Sequence, residues 1–189
     1  TEGALSPHMI VFEARASEDP AGRAALALGR ARTPVMAAEH LGRMGQVEMV
    51  AAGVKAAMAD AGISDAADVH YVQVKCPRLT MERIEAAEAR GQRLAVRDTL
   101  KSMAYSRGAS ALGVALALGE LSAGEIDDTI VCRDFSKFCR RAAASGGVGL
   151  LDHEIMVAGM SPAWVGPLAI DHADAHSLRH HAQGVVDDV

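Results

Sequence analysis

Two neighbouring stretches of this chain carry different periodicities, and that pairing narrows the fold more than any other feature. From Met44 to Ala61, apolar residues fall at Val47, Val50, Ala51, Val54, Met58 and Ala61. This is the spacing of one helical face, with Glu48 and Lys55 elsewhere on the circumference. Gly62 then supplies a natural helix stop. His70-Tyr71-Val72-Gln73-Val74 alternates and is rich in β-formers, so it reads as a strand. It closes at Lys75-Cys76-Pro77, because proline cannot donate to a ladder. A second buried-strand pattern, Ile155-Met156-Val157, lies within Leu151–Ala158, and a short strand is expected at Thr129–Cys132. Thr80–Arg90 reads as a helix, Thr99–Met103 resumes helix after Gly91, and Ser110–Leu121 reads as an Ala/Leu-rich helix ending near Gly124. Strands alternating with helices predict an α/β unit, a mixed sheet with packed helices.

Size and composition then exclude whole classes of function. The 189 residues suit one domain, or one and a piece, and are enough to bury a core. Nineteen Lys and Arg stand against 24 Asp and Glu, a net charge of −5, and only 3% of residues are aromatic. Nucleic-acid partners are therefore not expected, since phosphate neutralisation and base stacking both lack their residues. No apolar run reaches the roughly 18 residues of a membrane span; the longest, Leu112–Leu118, contains Gly113. No basic segment followed by an apolar one opens the chain, so no signal peptide is read. Cys76, Cys132 and Cys139 are odd in number and show no CxxC spacing, which fits reduced thiols packed as small hydrophobes and a cytoplasmic location.

The two ends of the chain echo one another. Gly3-Ala4-Leu5-Ser6-Pro7-His8-Met9-Ile10-Val11 lies over Gly149-Leu150-Leu151-Asp152-His153-Glu154-Ile155-Met156-Val157, an offset of about 146 residues. Both run from a Gly turn into a short apolar strand. The second copy is preceded by Ser145-Gly146-Gly147; the first begins at the chain start. An apolar run this close to Thr1, and the abrupt end at Val185–Val189, lead to the expectation of a piece from a longer chain. Residues 17–25, with Pro20 and Gly22, read as a linker.

Three places could carry chemistry. Ser145, at an expected Gly-rich turn, has glycines beside it that let backbone N–H groups approach a carbonyl; taken locally, the triplet also reads as a plain turn. Lys75 ends an apolar strand, where partial desolvation would make an amine a base; it reads equally as a charge guarding a strand edge. Arg107, expected near the start of an apolar helix, suits a carbonyl-rich or anionic ligand, or simply the surface. His172, His176 and His180 would share one helix face, an arrangement able to bind a transition metal. Their polar surroundings favour a solvated face, and no metal is assigned. There is no phosphate-binding loop, no GxGxxG, no HExxH and no Gly-x-Ser-x-Gly elbow.

Taken in order, Val72-Gln73-Val74-Lys75-Cys76-Pro77, Tyr105-Ser106-Arg107-Gly108-Ala109-Ser110-Ala111-Leu112-Gly113 and Ala144-Ser145-Gly146-Gly147 resemble the ring-opening amidohydrolases, the cyanuric acid hydrolase and barbiturase family. Thr1-Glu2-Gly3 and Leu5-Ser6-Pro7-His8 look like the segment after that family's first Ser-Gly-Gly. The resemblance runs the whole length. It implies a pseudo-threefold, three-repeat (Toblerone-like) fold in which each repeat gives one Ser, one Lys and one Arg to a central site. On that template, residues 1–16 are the tail of the first repeat, 26–168 a complete second repeat and 169–189 the start of the third, with Asp171–Val189 a helix.

The resemblance further implies Ser145 as nucleophile, Lys75 as its base, and Arg107, Ser145 and Gly146 as substrate-binding groups. The implied substrate is a cyclic imide, cyanuric acid, with barbituric acid as the alternative. No cofactor is implied; the family can carry a structural cation in a part of the third repeat that this sequence lacks. A homotetramer is the implied assembly. The first and third sets of Ser, Lys and Arg are absent, so the chain alone is expected to be inactive, and a purely associative, non-catalytic role stands as the rival class.

Overall fold

The computed structural model describes residues 11–13, 15–16 and 24–172. Four strands, β1 (Ala25–Arg32), β2 (Val69–Pro77), β3 (Ala142–Gly147) and β4 (Glu154–Ser161), form one mixed sheet in the order β1-β4-β2-β3. β1 and β2 both run antiparallel to β4, while β2 and β3 are parallel. A parallel pair needs a long crossover; here it holds α2 (Met81–Ala89) and α3 (Thr99–Ala117), and α1 (Met44–Asp60) links β1 to β2. The expected mixed sheet with packed helices is what the chain forms.

α1 buries the face that its spacing predicts: Val47, Val50, Ala51, Val54 and Met58 are all buried. It stops at Gly62 (φ +64°), and Ile63 N–H reaches back to the Met58 carbonyl at 2.9 Å, satisfying a terminal acceptor. The alternation of β2 sends Val72, Val74 and Cys76 to the helix side, where they pack with Val50, Val54, Val114, Ile155 and Val157. Tyr71, Gln73 and Lys75 face the other side, which no described helix covers.

The structure departs from the sequence reading in several places. α3 is one helix, not two. Gly113 interrupts no hydrogen bonding; it lets α1 approach, since a Cβ there would lie 2.7 Å from the Val47 carbonyl oxygen. Arg107 accordingly lies two turns inside α3, far from the N-terminus that Asp98 caps. Ser145-Gly146-Gly147 is strand, not turn: pairing with β2 overrides the weak β-preference of Ala, Ser and Gly. Thr129–Cys132 is turn, not strand. Asp127 Oδ1 accepts from Thr129 N–H at 2.7 Å, and Cys132 has φ +57°.

Arg141 anchors the start of β3, giving Nη1 to the Ala66 and Val69 carbonyls at 2.6 and 2.9 Å and Nε to Glu120 at 2.7 Å. β1 begins one residue before the expected boundary at 26, and Leu26 N–H donates to the Leu168 carbonyl at 2.8 Å. Of the 17–25 linker, only Ala24 and Ala25 are described; most of the expected third-repeat helix also lies outside the described residues. No helix among the described residues is long and apolar enough to cross a membrane.

Candidate active site

The β2–β3 register sets the geometry. Lys75 pairs with Ser145, and Cys76 with Gly146. Paired residues on neighbouring strands project to the same face, so the Lys75 and Ser145 side chains leave the sheet side by side on its open face. The row continues across the sheet, since Lys75 pairs with Glu154 on β4 and Glu154 with Arg32 on β1. Lys75 is exposed in this chain and borders a shallow cavity of about 620 Å³ together with Gln73, Glu154, Met156, Arg30 and Arg32. Arg32 lies 3.6 Å from the Glu154 carboxylate, so the cavity mixes both signs of charge.

The Ser145 hydroxyl is buried and has no hydrogen-bond partner among the described residues. An unpaired buried hydroxyl costs free energy, so this is a group with bonding capacity held in reserve. Arg107 reaches the neighbouring residue, donating Nε to the Ala144 carbonyl at 3.1 Å. Gly146 is required by packing: a Cβ would lie 2.6 Å from Cγ of Met103 on α3. The structure thus brings Lys75, Ser145, Gly146 and Arg107 together around the end of β3.

Beneath them runs a polar network that sequence reasoning missed. Ser102, Ser106 and Ser110 form a buried stripe on α3, and Gln46 and His153 are buried as well. Gln46 Oε1 accepts from Gly42 N–H at 2.8 Å, which fixes its amide orientation. Its Nε2 must then donate, and does so to Ser106 Oγ at 2.8 Å and His153 Nε2 at 3.0 Å. His153 Nε2 is therefore the bare nitrogen. Thr33 Oγ1 donates to the Pro34 carbonyl at 3.1 Å. His153 Nδ1 therefore carries the ring proton and donates it to Thr33 Oγ1 at 3.1 Å. The signal available in sequence was the i, i+4, i+8 serine stripe on an otherwise apolar helix.

Burial holds the His153 imidazole neutral, pushing its pKa from 6.5 down to about 4, with Asp152 opposing weakly. Between those values the unfolded chain binds a proton that the folded chain does not, so stability rises with pH through this window and is lost as pH falls from about 6.5 toward 4. The gap corresponds to roughly 3 kcal/mol. Denaturant melts at pH 7.5 and 4.5 are expected to show a larger acid loss in the unmodified protein than in His153→Gln. Equal losses would remove this role.

The histidine cluster is only partly described, since His176 and His180 lie outside the described residues. His172 meets a partner that the sequence reading did not name: its Nδ1 is 2.8 Å from His70 Nδ1, and Asp171 lies 3.4 Å from the same atom. Two nitrogens bound to one zinc at 2.0–2.1 Å would stand about 3.4 Å apart in a tetrahedral site. The observed separation is that of an N–H···N hydrogen bond. Burial, and then His172, lower the His70 pKa, which favours a neutral His70 ring in that bond.

Comparison with known proteins places the chain in a family. Residues 1–188 match the amidohydrolase ring-opening protein family. Among relatives, a cyanuric acid amidohydrolase of Bradyrhizobium sp. (strain ORS 375) is 73% identical over 91% of the chain and 47% of its own length. One from Methylobacterium sp. (strain 4-46) is 62% identical over 95% of the chain and 48% of its own. The fold matches the crystal structure of a cyanuric acid hydrolase from A. caulinodans with TM-score 0.80 and 53% identity, over 85% of this chain and 48% of that one. A second cyanuric acid hydrolase, described as an evolutionary innovation by structural concatenation, matches with TM-score 0.82 and 40% identity, over 92% and 49%. The chain spans about half the length of the relatives it matches. By sequence and by fold, it belongs to the ring-opening amidohydrolase family.

Proposed function

We propose that this chain supplies one sector, the second of three repeats, to an enzyme that hydrolytically opens cyanuric acid. Residues 26–168 are that repeat, 1–16 the tail of the first, 17–25 a linker and 169–189 the start of the third. The observation that carries the reading is the pairing of Lys75 with Ser145 on adjacent parallel strands, with Arg107 on the Ala144 carbonyl. In this reading Lys75 Nζ takes the Ser145 proton as Oγ attacks a ring carbonyl. N–H groups near Gly146 stabilise the oxyanion, typically worth roughly 2.7–4 kcal/mol per donor. The ring C–N bond breaks, and protonated Lys75 returns its proton to the departing ring nitrogen. Water, deprotonated by Lys75, then cleaves the Ser145 ester, releasing carboxybiuret, which loses CO₂ to give biuret. Arg107 holds a substrate carbonyl.

No step in this scheme calls for a metal or organic cofactor. A desolvated base requires Lys75 to be covered, and the other two repeats closing over the open face would do so. The working assembly in this reading is a cytoplasmic homotetramer.

Ultraviolet absorbance of cyanuric and barbituric acid, offered separately to the 189-residue chain and to the complete gene product, tests the proposal. The complete product is expected to consume cyanuric acid and the chain alone neither substrate. Consumption of barbituric acid only would reassign the substrate. Turnover by the chain alone would overturn the one-sector reading, and silence from the complete product would overturn ring opening itself.

A further inference from the structure

We propose that His153 is a positioning residue for the active site, acting through Gln46 and the serine stripe of α3; the inference rests on the functional reading above. The link starts from a set of buried hydrogen bonds centred on Gln46. Gln46 Nε2 donates to His153 Nε2 and to Ser106 Oγ, at 3.0 and 2.8 Å, and lies 3.2 Å from Ser110 Oγ. Burial raises the pKa of the Cys76 thiol, and Ser106 and Ser110 act against it, lowering it. Cys76 Sγ in turn donates to the Ser145 carbonyl at 3.5 Å.

Two of these residues adjoin the site. Ser106 precedes Arg107, Cys76 follows Lys75, and Cys76 Sγ reaches the carbonyl of Ser145. On the far side, His153 is tied to the end of β1: its backbone N–H donates to Thr33 Oγ1 at 2.9 Å, and Thr33 N–H to the His153 carbonyl at 3.1 Å. The residue after His153 is Glu154, register partner of Lys75. The network therefore joins all three helix-side supports of the Ser145–Lys75–Glu154 row: β4 through His153, α1 through Gln46, and α3 through Ser106 and Ser110. Its buried members hold one another in place, and so fix where the base, the nucleophile and the arginine stand relative to one another.

The two nitrogens of His153 do different work, which makes the idea testable. Asparagine can place its amide N–H where Nδ1 is, keeping Thr33 and losing Gln46. Glutamine can place an acceptor where Nε2 is, keeping Gln46. In the complete gene product, His153→Asn is expected to lower kcat for cyanuric acid about tenfold with little change in KM, while His153→Gln stays within about threefold of the unmodified enzyme. Equal kcat in the two variants, whether both high or both low, overturns the proposal, because a merely structural histidine does not distinguish which nitrogen is mimicked.

If His153→Asn fails to fold, Ser106→Ala decides, since it removes one hydroxyl from a helix that tolerates alanine. A severalfold fall in kcat supports the link, and full kcat overturns it. The ¹⁵N resonances of the His153 ring give a readout that needs no turnover: Nδ1 protonated and Nε2 bare at pH 7 is expected, and a protonated Nε2 overturns the proposal. Failure of the functional reading looks different, because then the unmodified complete protein opens neither ring.

Discussion

Ser145→Ala in the complete gene product is expected to cut cyanuric acid turnover by roughly 10⁴-fold or more while leaving the fold intact. The argument is local. Oγ is a single buried atom without a partner among the described residues, so its removal breaks no hydrogen bond within them and leaves strand pairing untouched. Lys75→Ala should cost a comparable factor, since in the proposed scheme Lys75 takes part in every proton transfer and residues that work as a unit lose activity together rather than additively. Lys75 is exposed in the isolated chain, so its loss creates no cavity there. Steady-state rates and a thermal melt on the same samples check both statements. Near-full activity in either variant would mean that the dyad lies elsewhere.

The largest stability effect is expected at Gly29→Ala. Gly29 sits in β1 beneath the C-terminal turn of α1, where an added Cβ would run into the Ala57 carbonyl oxygen and lie 2.6 Å from Ala61 N and 2.8 Å from Ala61 Cβ. The first two obstacles are backbone, so relief requires moving the helix off the sheet. Overpacking of this kind costs about 3 kcal/mol or more, which lowers the melting temperature by about 6–12 °C in a chain of this size. Gly124→Ala is the control, because a Cβ there would meet nothing within 4 Å. A Gly29→Ala variant as stable as the Gly124→Ala variant would contradict the close packing of β1 on α1.

The parts of this fold that sequence reveals are those decided by one element's own pattern. α1 was legible because its buried face repeats at helical spacing and ends at a glycine with positive φ. β2 was legible because it alternates. β3 was not, because Ala142-Ala143-Ala144-Ser145-Gly146-Gly147 has no strand preference; its partner on β2 imposes the conformation across some seventy residues of sequence. α3 was read as two helices because residues 104–109, with Gly108 among them, look like a break until Cys132 is known to lie against that glycine. Of the candidate site, Lys75, Arg107 and Ser145 were singled out through motif order, and the pairing of Lys75 with Ser145 came from strand register. Gln46 and His153 carried no local signal at all, since an isolated buried polar residue is intelligible only with its partners.

The strand that holds Lys75 and the strand that holds Ser145 are hydrogen-bonded neighbours within a single crossover, residues 69–147. In the proposed scheme Lys75 and Ser145 are base and nucleophile, and a pair set by backbone bonding inside one contiguous cassette travels together whenever the gene segment is copied. Duplication of such a segment would hand on a complete pair each time rather than half of one. Each later copy would then be free to drift toward binding or toward chemistry without first having to reinvent the pair.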